Sequence, residues 1–347
     1  MEVGFFFWPY NPDLVRRLAA AAERYGYDMI GIADTPGNAM DPWVAATMVA
    51  EATARSRVAL CVSNLESRHP AASAAAVASL ELLAPGRTIL GLGTGHSGTR
   101  NIGLGRSRVD ELAAGTRFIR KLLAGEAATW QGGTAQLPWV RRPSPVFIAG
   151  SGQKALASAA AAADGVFINF GIAAENLAWS KKAVAAGMRA TGRDLAEIEI
   201  WQIAALDCNR DGAASRQQVG AILAFMAAGY ILQGDLGSRG VPPDLHAAIA
   251  ELRRRYSTRP GAGDARLVDN LGLFDYLSRR FAIYGTPDAC GVQMLAAQTA
   301  GLRRIMFSVS LAADPVATVE LFGEEVLPAL RSSAYASQDL TPHRSAA

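Results

Sequence analysis

The chain has 347 residues, 50% of them apolar, so it is long enough for one large barrel or for two smaller domains. Its formal net charge of +3 is spread along the chain, and the densest basic run, "LRRRYSTR" at 252–259, has the pattern of a solvated helix face, which argues against nucleic-acid binding. The three cysteines, Cys61, Cys208 and Cys290, are too scattered for a disulfide framework or a zinc site, so we expect no bound metal.

Apolar, β-branched runs alternate along the chain with alanine-rich runs of helical period, which is typical of βα units. The first helix is predicted to begin at the N-cap Asn11, with Pro12 in its first turn, and to end near Gly26. The predicted strands are "VGFFFW" (3–8), "DMIGIAD" (28–34), "RVALCVSNL" (57–65), "RTILGLG" (87–93), "VFIAG" (146–150), "GVFINF" (165–170), "EIEIWQIAAL" (197–206) and "RRIMFSVS" (303–310). Further helices are predicted at 41–56, 70–86, 107–124, 153–163 and 286–301. Eight strands with intervening helices predict an α/β fold of the closed (β/α)8 TIM-barrel type, because a doubly wound sheet usually stops near six strands.

Two segments are longer than this repeat requires. Residues 126–145 contain a Gly-Gly pair and three prolines, which predicts a short excursion or a hairpin. Residues 208–285 exceed one βα unit and predict a lid-like insertion before the last helix and strand. We expect residues 1–330 to form a single barrel domain and residues 331–347 to form a flexible tail.

The N-terminus gives no sign of export. The run "MEVGFFFWPYNPD" has no basic segment before its apolar residues and no cleavage site of small residues, and no apolar stretch approaches about 18 residues. These features favour a cytoplasmic protein that does not bind membranes.

The stretch "GLGTGHSGTRNIG" at 91–103 has the spacing G-x-G-x-x-G at Gly93, Gly95 and Gly98. A dinucleotide-binding turn needs a helix directly after the glycines, whereas helical signals resume here only near residue 107. The alternative is that glycines at the carboxyl end of a barrel strand let a flat ligand approach the backbone closely. We favour this alternative, which places the ligand site in the barrel mouth.

A second loop, "AGSGQKAL", has the pattern of an anion site. A strand is predicted to end at Gly150, and the amides of Gly152, Gln153 and Lys154 would then lie at a helix N-terminus, with the hydroxyl of Ser151 beside them. The alternative is that Ser151 is an ordinary N-cap.

Five ordered segments carry a family resemblance: "YDMIGIAD", "DPWVAATMVAEATARSRVALCVSNLESRHP", "SLELLAPGRTILGLGTGHSGTRNIG", "PSPVFIAGSGQKALASAAAAADGVFINF" and "YGTPDACGVQMLAAQTAGLRRIMF". Together they resemble the bacterial luciferase-like superfamily of flavin- and deazaflavin-dependent oxidoreductases. The resemblance implies a barrel that binds reduced FMN or a deazaflavin coenzyme at its carboxyl-terminal mouth, usually in a homodimer.

The resemblance also implies site residues. The cofactor would contact Cys61, Val62, Asn64, Thr94, Gly95, Gly150, Ser151, Gly152, Gln153 and Asn169. The substrate would contact Trp8, Asp34 and Thr35, although Trp8 could equally pack the barrel. Relatives carry a strand bulge and a non-prolyl cis peptide at the position of Cys61 and Val62. Arg100 is more easily explained as a surface arginine than as an anion ligand.

One departure from the family pattern directs attention to His96. Many relatives have a histidine directly after the acidic residue that ends the second strand, where this chain has Thr35 after Asp34. Deazaflavin-using relatives often have an acidic residue in the glycine segment, where this chain has His96. A histidine has an unperturbed pKa near neutrality, so His96 is predicted either to act as the catalytic acid or base or to form a polar wall without a catalytic role.

The sequence therefore predicts an oxidoreductase. The main expectation is a two-component monooxygenase in which reduced FMN, supplied by a separate flavin reductase, activates oxygen for a small, partly hydrophobic organic substrate. The alternative is a deazaflavin (coenzyme F420)-dependent reductase or dehydrogenase that transfers hydride. A third alternative is a flavin-binding protein without catalytic activity.

Overall fold

The computed structural model describes residues 1–256 and 266–338. Within these residues the strands are β1 (Glu2–Phe7), β2 (Met29–Ile32), β3 (Arg57–Ser63), β4 (Thr88–Leu92), β5 (Ala128–Trp130), β6 (Gly133–Ala135), β7 (Val146–Gly150), β8 (Gly165–Ile168), β9 (Glu199–Cys208), β10 (Ala282–Gly285) and β11 (Arg304–Ser308). The α-helices are α1 (Pro12–Tyr25), α2 (Pro42–Ala52), α3 (Pro70–Leu83), α4 (Ser97–Arg100), α5 (Val109–Leu123), α6 (Gln153–Ala162), α7 (Ala174–Ala190), α8 (Gly212–Met226), α9 (His246–Arg255), α10 (Leu267–Asn270), α11 (Phe274–Phe281), α12 (Pro287–Thr299), α13 (Pro315–Glu325) and α14 (Leu327–Gln338).

Eight parallel strands form a closed barrel. Hydrogen-bonded neighbours follow the order β9, β11, β1, β2, β3, β4, β7 and β8, and β8 pairs back to β9. The buried apolar side chains of the strands and helices form one continuous cluster. The predicted (β/α)8 TIM barrel is confirmed, and its parallel strands bring all their carboxyl ends to one rim.

Helix boundaries follow the capping residues that the sequence indicated. The side chain of Asn11 accepts a hydrogen bond from the amide of Leu14 at 2.9 Å, and Pro12 occupies the first turn of α1. The helix ends at Gly26, whose φ of +73° is the left-handed conformation that glycine adopts without strain.

Several elements were not predicted, among them α7, α13, strand β10 and helix α4. Strand β9 is longer than the part of it that pairs with β8 and β11. Strand β10 pairs with the last four residues of β9. A run of four residues is too short to reveal a strand period. Helix α4 is a single turn inside the glycine stretch, where the low helix propensity of glycine hides it from sequence patterns.

The predicted excursion at 126–145 contains a hairpin. Strands β5 and β6 pair antiparallel, and Gln131 and Gly132, with φ of +48° and +84°, form the turn between them. This prediction is confirmed.

The insertion between β9 and α12 is mostly helical. It contains α8, a π-helical segment at Ala227–Ile231, two short 3₁₀ helices and α9 to α11, and it ends in β10. Residues 257–265 of this insertion lie outside the described residues. In the described part of the chain, no helix is long and apolar enough to span a membrane.

The C-terminal boundary differs from the expected one. Helix α14 continues to Gln338, past residue 331 where the tail was expected to begin, because Leu327 and Leu330 are buried in the core and anchor it. Residues 339–347 of the expected tail lie outside the described residues. The assignment of residues 1–330 to a single domain stays a prediction.

Candidate functional site

A cavity of about 530 Å³ lies at the carboxyl ends of the barrel strands. It is lined by every residue that the sequence analysis assigned to the site: Trp8, Asp34, Thr35, Cys61, Val62, Asn64, Thr94, Gly95, His96, Gly150, Ser151, Gly152, Gln153 and Asn169. It is also lined by residues from the α4–α5 loop and the insertion that were not predicted: Arg106, Phe225, Met226, Gln233 and Arg239. The strand ends thus form a floor, and the insertion supplies a wall.

The floor lies at a bulge in β3. The pairing of β3 with β4 shifts between Leu60 and Ser63, and the Cys61–Val62 peptide is cis, as the family resemblance implied. A Cβ atom on Gly93 would lie only 2.9 Å from a methyl group of Val62. Glycine directly after β4 therefore accommodates the bulged strand and places backbone in the lining of the cavity.

The glycine stretch after β4 packs tightly against the end of β2. Gly95 has a φ of +90°, and a Cβ atom on it would lie 2.5 Å from a methyl group of Thr99. A Cβ atom on Gly98 would lie 2.5 Å from the backbone oxygen of Asp34. Gly95 is therefore required by its positive φ and by Thr99 of the same segment, and Gly98 by the close approach of α4 to the end of β2, rather than either by a phosphate group.

His96 is buried at the boundary between floor and wall. Its ring lies 6.1 Å from the ring of Phe225, centroid to centroid, and a Cβ atom on Gly229 would lie 3.1 Å from its Cε1. Burial, together with the positive charges of Arg106 and Arg100, lowers the pKa of His96 to about 4. At neutral pH the imidazole is therefore uncharged, and a neutral imidazole has one donor and one acceptor.

The end of β2 carries a carboxyl group and a hydroxyl group with different partners. The hydroxyl of Thr35 donates to Ser97 Oγ at 3.0 Å and accepts from Asn38 Nδ2 at 3.0 Å. Asp34 Oδ2 accepts a hydrogen bond from Ser63 Oγ at 2.6 Å, and burial raises the pKa of Asp34. Thr35 therefore connects β2 to α4, while Asp34 contributes a carboxyl group to the cavity.

The two predicted asparagines differ in what they offer a ligand. Asn64 Oδ1 accepts hydrogen bonds from the amides of Glu66 and Ser67 at 2.9 and 2.8 Å, so this oxygen shapes the turn after β3. Asn169 Oδ1 is buried and has no hydrogen-bond partner within the described residues. A buried polar atom without a partner is rare in proteins, so the side-chain amide of Asn169 is the better candidate for a ligand contact.

The loop after β7 forms the predicted helix N-terminus. Strand β7 ends at Gly150, α6 begins at Gln153, and the N-cap is Gly152, without a side-chain cap. Ser151 therefore lies one position before the cap, and the N-cap alternative for this serine is not what the fold uses. The amides of the first turn of α6 have no partner within the helix, which is the arrangement that binds anions.

Part of the cavity wall is apolar. Trp8 is buried, and its ring meets that of Phe225 edge-on with centroids 5.6 Å apart. Trp8 therefore packs against the insertion and lines the cavity as well, while its contact with a substrate stays a prediction. Met226 extends the apolar wall.

The unpredicted residues came from segments without a motif. Arg239 and Phe225 reach the cavity only because the insertion folds back over the barrel mouth. An arginine in a polar loop looks like any surface arginine in the sequence, so nothing in the pattern distinguished Arg239 from Arg100, which is exposed and outside the cavity lining.

Comparison with known proteins gives a consistent set of matches. The family model described as luciferase-like monooxygenase matches residues 9–304. The chain is 27% identical to the 5,10-methylenetetrahydromethanopterin reductase of Methanolobus tindarius, over 94% of this chain and 100% of that protein. It is 32% identical to the F420-dependent hydroxymycolic acid dehydrogenase of Mycobacterium tuberculosis, over 53% of this chain and 56% of that protein. The structure of the coenzyme F420 dependent tetrahydromethanopterin reductase from Methanopyrus kandleri superposes with a TM-score of 0.75 at 21% identity, covering 95% of this chain and 99% of that one.

Proposed function

The chain belongs to the luciferase-like monooxygenase family, and within that family we propose that it is a reductase or dehydrogenase that transfers hydride with the deazaflavin coenzyme F420. The observation that carries the proposal is the match over nearly the whole chain to a 5,10-methylenetetrahydromethanopterin reductase. The expectation of a two-component monooxygenase using reduced FMN and oxygen is wrong, because the relatives that match most of the chain include 5,10-methylenetetrahydromethanopterin reductases, and a further relative is an F420-dependent dehydrogenase. An F420-dependent enzyme of this kind requires no separate flavin reductase. The homodimer that the resemblance implied stays a prediction.

The cavity fits a deazaflavin with a phosphate-bearing side chain. A planar ring would lie in the cavity of about 530 Å³, on the bulged floor beside Gly93. The unpartnered oxygen of Asn169 offers a contact to a hydroxylated chain, and the first turn of α6 offers amides to a phosphate. FMN presents a similar ring and phosphate, which explains how the same residues suggested FMN from the sequence alone.

The residues of this chain have separable tasks in such a reaction. When bound, the deazaflavin supplies the hydride donor or acceptor. Trp8, Phe225 and Met226 exclude water from the substrate side of the cavity. A ring nitrogen of His96 holds a hydrogen bond to the reacting oxygen or nitrogen of the substrate, because a neutral imidazole can both donate and accept. We propose His96 as the catalytic residue for moving the substrate proton, and Asp34 as a second polar contact for the substrate.

Parallel titrations of the purified chain with F420 and with FMN, followed by calorimetry, test the proposed function. We expect F420 to bind with a dissociation constant in the micromolar range and FMN to bind at least about tenfold more weakly. Reduced F420 should then be oxidised, or oxidised F420 reduced, when a substrate of the relatives' classes is added without oxygen. Tight binding of FMN alone, with oxygen consumption when the flavin is reduced, would contradict the proposal.

A further inference from the structure

Arg239, in the insertion, lies against the loop that precedes α6. Its Nη1 donates hydrogen bonds to the backbone oxygens of Ser151, at 2.9 Å, and Ile231. Its Nη2 lies 3.4 Å from the position that a Cβ atom would take on Gly152, and its Cζ is 5.9 Å from the centroid of the Phe170 ring. The guanidinium is therefore held between the insertion and the N-terminus of α6, where it lines the cavity.

The charge of Arg239 is not neutralised by the protein. Burial lowers the pKa of Arg239, and the nearby guanidinium of Arg253 lowers it further, with no acidic group offsetting them among the described residues. Arg253 itself has Nε and Nη2 buried without a hydrogen-bond partner in the part of the chain that the structure describes. The half-buried guanidinium of Arg239 beside the N-terminus of α6, with a second half-buried cation at Arg253 near it, forms a site that is stabilised by an anion.

The N–H groups of Arg239 that form no hydrogen bond with the described residues indicate the chemical class of that anion. Nη1 is committed to two backbone oxygens, whereas Nη2 and Nε form no hydrogen bond with the described residues. A guanidinium edge with such donors matches the oxygens of a phosphate ester, and the amides of α6 approach the same group from the barrel side.

We propose that Arg239 binds the phosphate group of the cofactor and thereby links cofactor binding to the seating of the insertion over the barrel mouth. The inference rests on the proposed function for the identity of the phosphate ester, F420. Because the Arg239 side chain also holds Ser151 and Ile231 together, an occupied phosphate site stabilises the wall that carries Phe225 and Met226.

The test compares ligands with and without the phosphate. Wild type and R239M are titrated with F420, with its deazaflavin-ribitol fragment that lacks the phosphate, and with the matched pair FMN and riboflavin. We expect R239M to bind F420 about 10- to 100-fold more weakly and to bind the phosphate-free fragment within about twofold of wild type. The loss for F420 should shrink as ionic strength rises, because the contact is between charges.

Two further variants separate phosphate binding from a purely structural role. R239K keeps the charge without the planar fork and should lose less affinity for F420 than R239M. R254M removes an exposed arginine of the insertion, paired with Glu251 outside the cavity lining, and should bind all four ligands like wild type. An equal loss for the phosphate-bearing and the phosphate-free ligand in R239M, or no loss for either, overturns the inference.

The ligand pairs also distinguish failure of the inference from failure of the proposed function. In one outcome, wild type binds neither F420 nor its phosphate-free fragment, yet binds FMN more tightly than riboflavin. If R239M then binds FMN and riboflavin equally, the proposed function is wrong and the role of Arg239 stands. If wild type binds F420 tightly and R239M binds it equally well, the role of Arg239 fails and the proposed function stands. A wild type that binds none of the four ligands overturns both.

Discussion

Replacing Gly98 with alanine should remove most cofactor binding while the barrel stays folded. The new Cβ atom would lie 2.5 Å from the backbone oxygen of Asp34, and a backbone atom in a barrel rim cannot move aside as a flexible side chain can. Relief requires α4 to move away from β2, which displaces His96 on one side of the contact and Thr35 on the other. We expect a stability loss of about 1–3 kcal/mol and an affinity for F420 reduced by about 100-fold. Calorimetric titration and thermal denaturation of the same preparation measure the two effects.

The matched control is Gly105→Ala. Gly105 follows α4 in the same glycine-rich region, and a Cβ atom there would meet nothing within 4 Å. We expect this variant to bind F420 and to melt like wild type. If G98A binds F420 as tightly as G105A, the packing of α4 against β2 does not shape the cofactor site.

The floor of the site could be predicted from the sequence because its residues lie directly after strands. Gly95 and His96 follow β4, Gly150–Gln153 follow or end β7, and Asn169 follows β8. A parallel barrel brings these strand ends to one rim whatever the details of its helices, so a correct strand order was sufficient to bring the residues together.

The residues of the wall and the protonation state of His96 could not be predicted from the positions of the strands. Phe225 and Arg239 come from a long insertion, and no periodic pattern states where such a segment folds back. The pKa of His96 depends on burial beneath that same insertion, at Gly229 and Phe225, so the sequence offered only the unperturbed value of a histidine, near neutrality.

The prediction of the reaction class was wrong for a chemical reason. The site residues that the sequence indicated are those expected to meet a ring and a phosphate, which FMN and F420 have in common, whereas the atoms that decide between oxygen activation and hydride transfer belong to the cofactor. The glycine floor and the loop at Gly150–Gln153 therefore identify the superfamily and leave the coenzyme open.

Replacing His96 with asparagine should reduce turnover by about 100-fold with little change in the affinity for F420. Asparagine keeps a donor and an acceptor but cannot take up a proton, so the variant separates proton movement from polar contact. The control is His69→Asn, because exposed His69 lies outside the cavity lining and caps α3 by accepting a hydrogen bond from Ala71, which asparagine also accepts. Steady-state rates with a saturating coenzyme measure the effect, and a turnover unchanged in H96N would exclude His96 as the catalytic residue.

The same variant should change how stability depends on pH, and this readout needs no substrate. The pKa of His96 is about 4 in the folded chain against 6.5 as its ordinary value, so as the pH falls the unfolded chain takes up the proton first. The stability that depends on a neutral His96 is therefore fully present above about pH 6.5 and is lost as the pH falls towards 4. Between pH 7.5 and pH 5, wild type should lose about 2 kcal/mol more unfolding free energy than H96N, as measured by urea denaturation at both pH values. Because other buried groups, such as Asp207, whose pKa burial raises to about 6, are the same in both proteins, the difference between the variants isolates His96. Parallel stability losses in the two proteins would mean that His96 is not held neutral by its surroundings, and the proposed hydrogen bond from an uncharged imidazole to the substrate would have to be abandoned.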